Sequence, residues 1–139
     1  MSGEVLLDTG PLVAFLNRRD RYHTWAAEQL AAVDAPLLTC ESVLSEACFL
    51  LRKLERGVDA VFRLLERGLI SVGFRLADEA PAVRRLMARY SAVPMSLADA
   101  CLVRLAEIRS ESAVLTLDAD FRIYRKSGRQ AIPTLMPAR

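Results

Sequence analysis

Four short apolar runs constrain this chain more than any other feature. They are Val5-Leu6-Leu7, Leu37-Leu38-Thr39, Leu69 to Phe74 and Ala113 to Thr116, and each is followed by a stretch with helical character. A run this short and this uniformly apolar reads as a strand buried on both faces. Strands of that kind alternating with helices predict an α/β sandwich with a mainly parallel sheet. Four to five strands are expected, with helices on both faces.

The helical stretches carry their own punctuation. Pro11 suits the first turn of a helix ending near Asn17. Tyr22 to Val33 is expected to be helical, with Trp25, Ala26 and Leu30 on one face. A long helix is expected from Glu41 to about Arg56, stopped by Gly57. A short one follows from Asp59 to Arg67, stopped by Gly68. Asp78 to Tyr90 carries Val83, Leu86 and Met87 inward, and Leu97 to Arg109 forms a further helix after Pro94. A helical turn is expected from Ala119 to Arg125. Ile132 to Leu135 reads as an edge strand, because Pro133 cannot donate in a central ladder. Gly and Pro are scattered rather than clustered, so residues 1–139 are read as one domain.

Composition narrows the chemistry. With 53% hydrophobic and 26% charged residues, the chain can build a sizeable core. The cysteines are Cys40, Cys48 and Cys101, with no C-x-x-C, and His23 is the sole histidine. That set does not supply a zinc site of soft donors. An odd number of cysteines in apolar context argues for structural thiols in a reducing, cytoplasmic compartment rather than a disulfide scaffold. A serine or cysteine triad would have to use His23, which sits far from a matching nucleophile in sequence. No P-loop and no G-x-G-x-x-G is present, and no segment is apolar for long enough to span a membrane. Met1-Ser2-Gly3-Glu4 lacks the features of a secretory signal. Enzymatic chemistry in such a chain falls to its carboxylates.

Four acids stand where loops at one edge of the sheet would converge. Asp8 directly follows the first strand, and Asp118 follows the Ala113–Thr116 strand after one residue. Glu46 lies one to two turns into the helix after Thr39. Asp99 opens the Leu97 helix on an apolar stripe with Leu102, Val103 and Ala106. In open α/β sheets, ligands bind at the carboxyl ends of strands. Each acid also has a purely structural role open to it. Asp8 suits a helix N-cap, and Ser96-x-x-Asp99 has the form of a capping box. Glu46 suits a solvated helix face, and Asp118 and Asp120 suit turn chemistry. Their joint placement favours function. Gathered carboxylates repel, and Mg²⁺ or Mn²⁺, which prefer oxygen ligands and bridge to phosphates, remove that conflict. Phosphodiester hydrolysis is the matching reaction.

Leu7-Asp8-Thr9-Gly10-Pro11-Leu12, Leu38-Thr39 through Ser42 to Glu46, Ser96-Leu97-Ala98-Asp99-Ala100, and Leu115-Thr116-Leu117-Asp118-Ala119-Asp120-Phe121 occur in that order. With these four segments the chain resembles the PIN-domain family, and within it the VapC-like ribonuclease toxins of toxin–antitoxin pairs. The resemblance implies a PIN-like three-layer sandwich and Mg²⁺- or Mn²⁺-dependent cleavage of RNA. It implies Asp8, Asp99 and Asp118 as metal ligands, and Glu46 as the residue that holds or activates the attacking water. Thr9, Ser96, Thr116 and Asp120 would brace them through hydrogen bonds. It further implies a homodimer and a cognate antitoxin that blocks the site.

The formal charge is only +2, from 19 bases and 17 acids, but 17 of the bases are Arg. With four acids withdrawn into one pocket, the remaining surface carries a clear excess of Arg, which binds phosphate bidentately. Arg122, Arg125, Lys126 and Arg129 follow the last acidic segment and are the expected RNA contacts. Two other readings compete. One is a non-catalytic PIN-like module that binds RNA or regulates. The other is a phospho-acceptor domain, whose dehalogenase-like form needs a second acid where Gly10 stands.

Overall fold

The computed structural model describes residues 3–138. Met1, Ser2 and Arg139, on which the expected domain limits and part of the N-terminal reading fall, lie outside the described residues. The elements run in the order β1 (Glu4–Leu7), α1 (Thr9–Leu16), α2 (His23–Ala32), β2 (Leu37–Thr39), α3 (Glu41–Leu50) and α4 (Gly57–Glu66). They continue with β3 (Ile70–Val72), α5 (Leu76–Arg89), α6 (Leu97–Ile108) and β4 (Ser112–Leu115). A 3-10 turn (Ala119–Arg122), β5 (Arg125–Lys126), β6 (Gln130–Ala131) and β7 (Thr134–Leu135) complete the chain.

The sheet has the order β3-β2-β1-β4-β7, and every neighbouring pair is parallel. Val5, Leu6 and Leu7 are all buried, as are Ala113, Val114 and Leu115. Successive strand residues point to opposite faces, so consecutive burial means that both faces are covered. The expected α/β sandwich with a five-stranded parallel sheet is therefore what forms. From β1 the chain builds outward through β2 and β3, then returns to place β4 on the other side of β1. The crevice at such a reversal, at the carboxyl ends of the strands, is where open parallel sheets bind ligands. Here that crevice lies between β1 and β4, whose register pairs Leu7 with Leu115.

Several boundaries differ from the sequence reading, for local reasons. The helix expected to reach Arg56 stops at Leu50. The chain then turns through Arg56, which takes a left-handed backbone with φ 59°. Gly57 opens α4 instead of closing α3. A Cβ there would stand 2.5 Å from the Leu51 carbonyl oxygen, so only glycine fits. The turn expected to run to Arg125 ends at Arg122, and a β5–β6 hairpin follows that the apolar pattern does not signal. Its tip is Ser127-Gly128, with φ of 51° and 84°. Positive φ at both positions matches the strand twist of a two-residue hairpin. The last strand is shorter than expected. Pro133 stands just before it, and its carbonyl accepts from Val114 N at 2.8 Å, so its missing N–H costs the ladder nothing.

Candidate active site

The site begins with a register. Beyond the Leu7–Leu115 pair, Asp8 N donates to the Leu115 carbonyl at 3.0 Å, which puts Asp8 beside Thr116. The Thr116 hydroxyl donates to Asp8 Oδ2 at 2.7 Å, and its oxygen accepts from Asp118 N at 2.9 Å. One buried threonine thus ties the first acid to the fourth, 108 positions apart in the chain. Asp8 Oδ1 accepts from Thr9 N at 2.8 Å and caps α1. The capping role and the place in the cleft belong to the same side chain.

The other acids are held from different elements. Ser96 Oγ accepts from Asp99 N at 3.0 Å, which starts α6 with the third acid in its first turn. Thr9 Oγ1 donates to Glu46 Oε2 at 3.0 Å and connects α1 to exposed Glu46 on α3. Asp118 Oδ1 accepts from Asp120 N at 2.9 Å and caps the 3-10 turn. Asp8, Glu46, Asp99, Asp118 and Asp120 all line one open cleft of about 600 Å³, together with Thr9 and Ser96.

The electrostatics record the crowding. Burial, reinforced by the nearby charges of Asp99 and Asp118, pushes the Asp8 carboxyl up to about 6, against the lowering effect of its two hydrogen bonds. Burial also raises Asp99, helped by Asp118 and Glu46, while a bond from Tyr124 lowers it. Tyr124 is the residue the sequence reading missed. Its hydroxyl donates to Asp99 Oδ2 at 2.8 Å from a fully buried position. Its ring packs edge-on against Tyr90 and Phe121 at centroid distances of 5.1 and 5.3 Å. An aromatic residue after an apolar turn signals core and nothing more, so only tertiary contact identifies it.

The donors in the cleft are all oxygen, with no histidine or cysteine among them. That chemistry fits a hard divalent cation. Among the described residues, no three acids stand close enough to share one ion as placed. Mg²⁺ commonly takes only one or two carboxylates and fills its remaining positions with water and phosphate oxygen, so the donor set remains suited to it.

The basic cluster divides. Lys126 is buried, and its Nζ donates to the Ser110 carbonyl at 3.1 Å. Arg125 turns its Nη1 onto the carbonyls of Arg122, Ile123 and Tyr124. The hairpin folds both side chains back onto the protein, which corrects the expectation that all four bases face RNA. Arg122 and Arg129 remain exposed. His23 binds the Ala14 carbonyl through Nδ1 at 2.8 Å, a packing role.

Comparison with known proteins adds a family and a fold. A family model for the PIN domain matches residues 5–127. The structure of the VapC20 toxin of Mycobacterium tuberculosis, described as cleaving the sarcin-ricin loop, aligns with a TM-score of 0.76 at 21% identity. The alignment covers 84% of this chain and 92% of that one. At that identity the likeness speaks for the fold. Curated proteins give no match.

Proposed function

The chain belongs to the PIN-domain family, and on that premise we propose that it is a metal-dependent endoribonuclease, the toxin of a toxin–antitoxin pair. The observation that carries this reading is the convergence of Asp8, Glu46, Asp99, Asp118 and Asp120 on one cleft at the carboxyl ends of β1 and β4. The cleft is open, so an extended polyanion has access to it.

Asp8 and Asp99, with Asp118 directly or through water, would hold Mg²⁺ or Mn²⁺. Such an ion lowers the pKa of water and neutralises charge that develops on phosphate oxygens. The protein's own part is orientation. Thr116 and Thr9 N fix Asp8, Tyr124 and Ser96 fix Asp99, and Asp120 N fixes Asp118. Glu46, held by Thr9 and exposed on α3, is placed to accept a proton from the attacking water. Arg122 and Arg129 supply phosphate contacts.

Partners follow from the surface. Phe49 and Leu50 at the end of α3 and Phe62 on α4 are each more than half exposed. Large exposed apolar side chains close to a cleft support a protein contact, as a homodimer or with an antitoxin. No helix among the described residues is long and apolar enough to cross a membrane.

The test is cleavage of total RNA with Mg²⁺ or Mn²⁺. EDTA should stop it, the ends should be 5′-phosphate and 3′-hydroxyl, and Asp99→Asn should be inactive while folded. Equal cleavage by Asp99→Asn and the parent would overturn the assignment. Binding without cleavage by the parent would point to the non-catalytic module.

A further inference from the structure

Outside the acidic cleft, two of the three cysteines come together. Cys40 is the residue that precedes α3, and Cys101 lies in the second turn of α6. They are 61 positions apart in the chain, yet their thiols lie against each other, close enough to share a hydrogen bond. Each is 2% exposed. Both line an open cavity of about 340 Å³ with Ser42, Ser45, Phe74 and Leu97. Cys48 is half-buried and does not line this cavity. The sequence supports only separate structural thiols, so the pairing is a tertiary finding.

We propose that Cys40 and Cys101 form an oxidisable dithiol, converted to a disulfide by small hydroperoxides that enter through this cavity. The chemistry balances with hydrogen peroxide as oxidant. One thiol sulfur attacks the peroxide, the O–O bond breaks, and a sulfenic acid and one water result. The second sulfur displaces the hydroxyl of that sulfenic acid, the S–S bond forms, and a second water leaves. Two thiols and one peroxide become one disulfide and two waters. The cavity explains the selectivity. A peroxide passes where a bulkier disulfide reagent does not, and the sulfur partner is already in contact.

The cross-link has a mechanical consequence. Closing a non-bonded thiol contact to the ~2.05 Å of an S–S bond draws the start of α3 towards α6. Those two helices carry Glu46 and Asp99. Oxidation therefore shifts the acids of the cleft relative to one another. This coupling rests on the metal reading above, whereas the cross-link itself does not.

The experiment treats the reduced, folded chain with equimolar hydrogen peroxide, traps remaining thiols under denaturing conditions and maps the peptides. The expected product has lost two hydrogens, keeps one trappable thiol at Cys48, and yields a Cys40–Cys101 cross-linked peptide. Cys48→Ser should give the same cross-link. Three trappable thiols, a product joined through Cys48, or a sulfinic acid in place of the disulfide would each overturn the proposal. Mn²⁺ titration of the reduced and oxidised forms then reads the coupling. Binding about 10-fold weaker after oxidation is expected, on the scale of a disturbed ligand support. Unchanged affinity with the cross-link present would overturn the coupling alone, and Mn²⁺ binding unaltered by Asp99→Asn would instead refute the metal reading.

Discussion

Asp8→Asn should stabilise the metal-free protein at neutral pH while removing its affinity for a divalent ion. Asp8 is buried, and its carboxyl rises from 3.8 to about 6 on folding. At ~1.4 kcal/mol per pH unit, that is on the order of 3 kcal/mol. The folded chain holds this proton to higher pH than the unfolded chain does. The stability it brings is complete below about pH 4 and is lost as pH rises through about 6. Asparagine cannot ionise and so keeps that stability at neutral pH. Its cost is one bond. Asp8 accepts from both Thr9 N and Thr116 Oγ1, and an amide has only one acceptor oxygen for the two donors. Losing that bond costs about 1 kcal/mol. The net expectation is a gain of about 2 kcal/mol near pH 7.5, vanishing or reversing near pH 4.5. Urea denaturation in EDTA at the two pH values measures it. Added Mn²⁺ should then restore the parent, by about 2.7 kcal/mol at 100 times its dissociation constant, and leave the variant unmoved. A variant less stable than the parent by the same amount at both pH values would refute the burial argument. Equal stabilisation of both proteins by Mn²⁺ would refute the assignment of Asp8 to the ion.

Tyr124→Phe keeps the ring stack but removes the 2.8 Å bond to Asp99. Mn²⁺ affinity by calorimetry should fall about 10-fold, whereas Tyr90→Phe, whose hydroxyl accepts from Arg125 N instead, should leave it unchanged. Arg122→Ala and Arg129→Ala should each reduce the slope of log RNA affinity against log salt by about 1, while Lys126→Met leaves it unaltered because its ammonium is already bound to Ser110. Arg56→Gly relieves a left-handed backbone and should raise the urea midpoint, by up to ~1 kcal/mol in stability.

How much of this molecule the sequence discloses depends on the range of the interactions involved. Strand and helix identity follow from local apolar pattern, so β1, β2, β3 and β4 stand where the short runs predict, with α1 and α6 after them. The acids at strand ends are legible for the same reason, since their positions relative to each element are set within a few residues. Helix limits are less legible. The end of α3 is decided at Gly57, by a contact with Leu51 that exists only once the chain has turned.

The sequence alone determined the alternating architecture, the oxygen-only donor set and the order in which the acids arrive. Tertiary structure alone decided who holds whom. Thr116 meets Asp8 because β1 and β4 pair in one register, and a slip of one residue would turn Thr116 to the other face. Tyr124 reaches Asp99, Cys40 meets Cys101, and Lys126 turns inward to Ser110 because elements distant in sequence pack together. Such pairings leave no periodic trace in the chain, since each depends on the relative placement of two elements and not on the pattern within either.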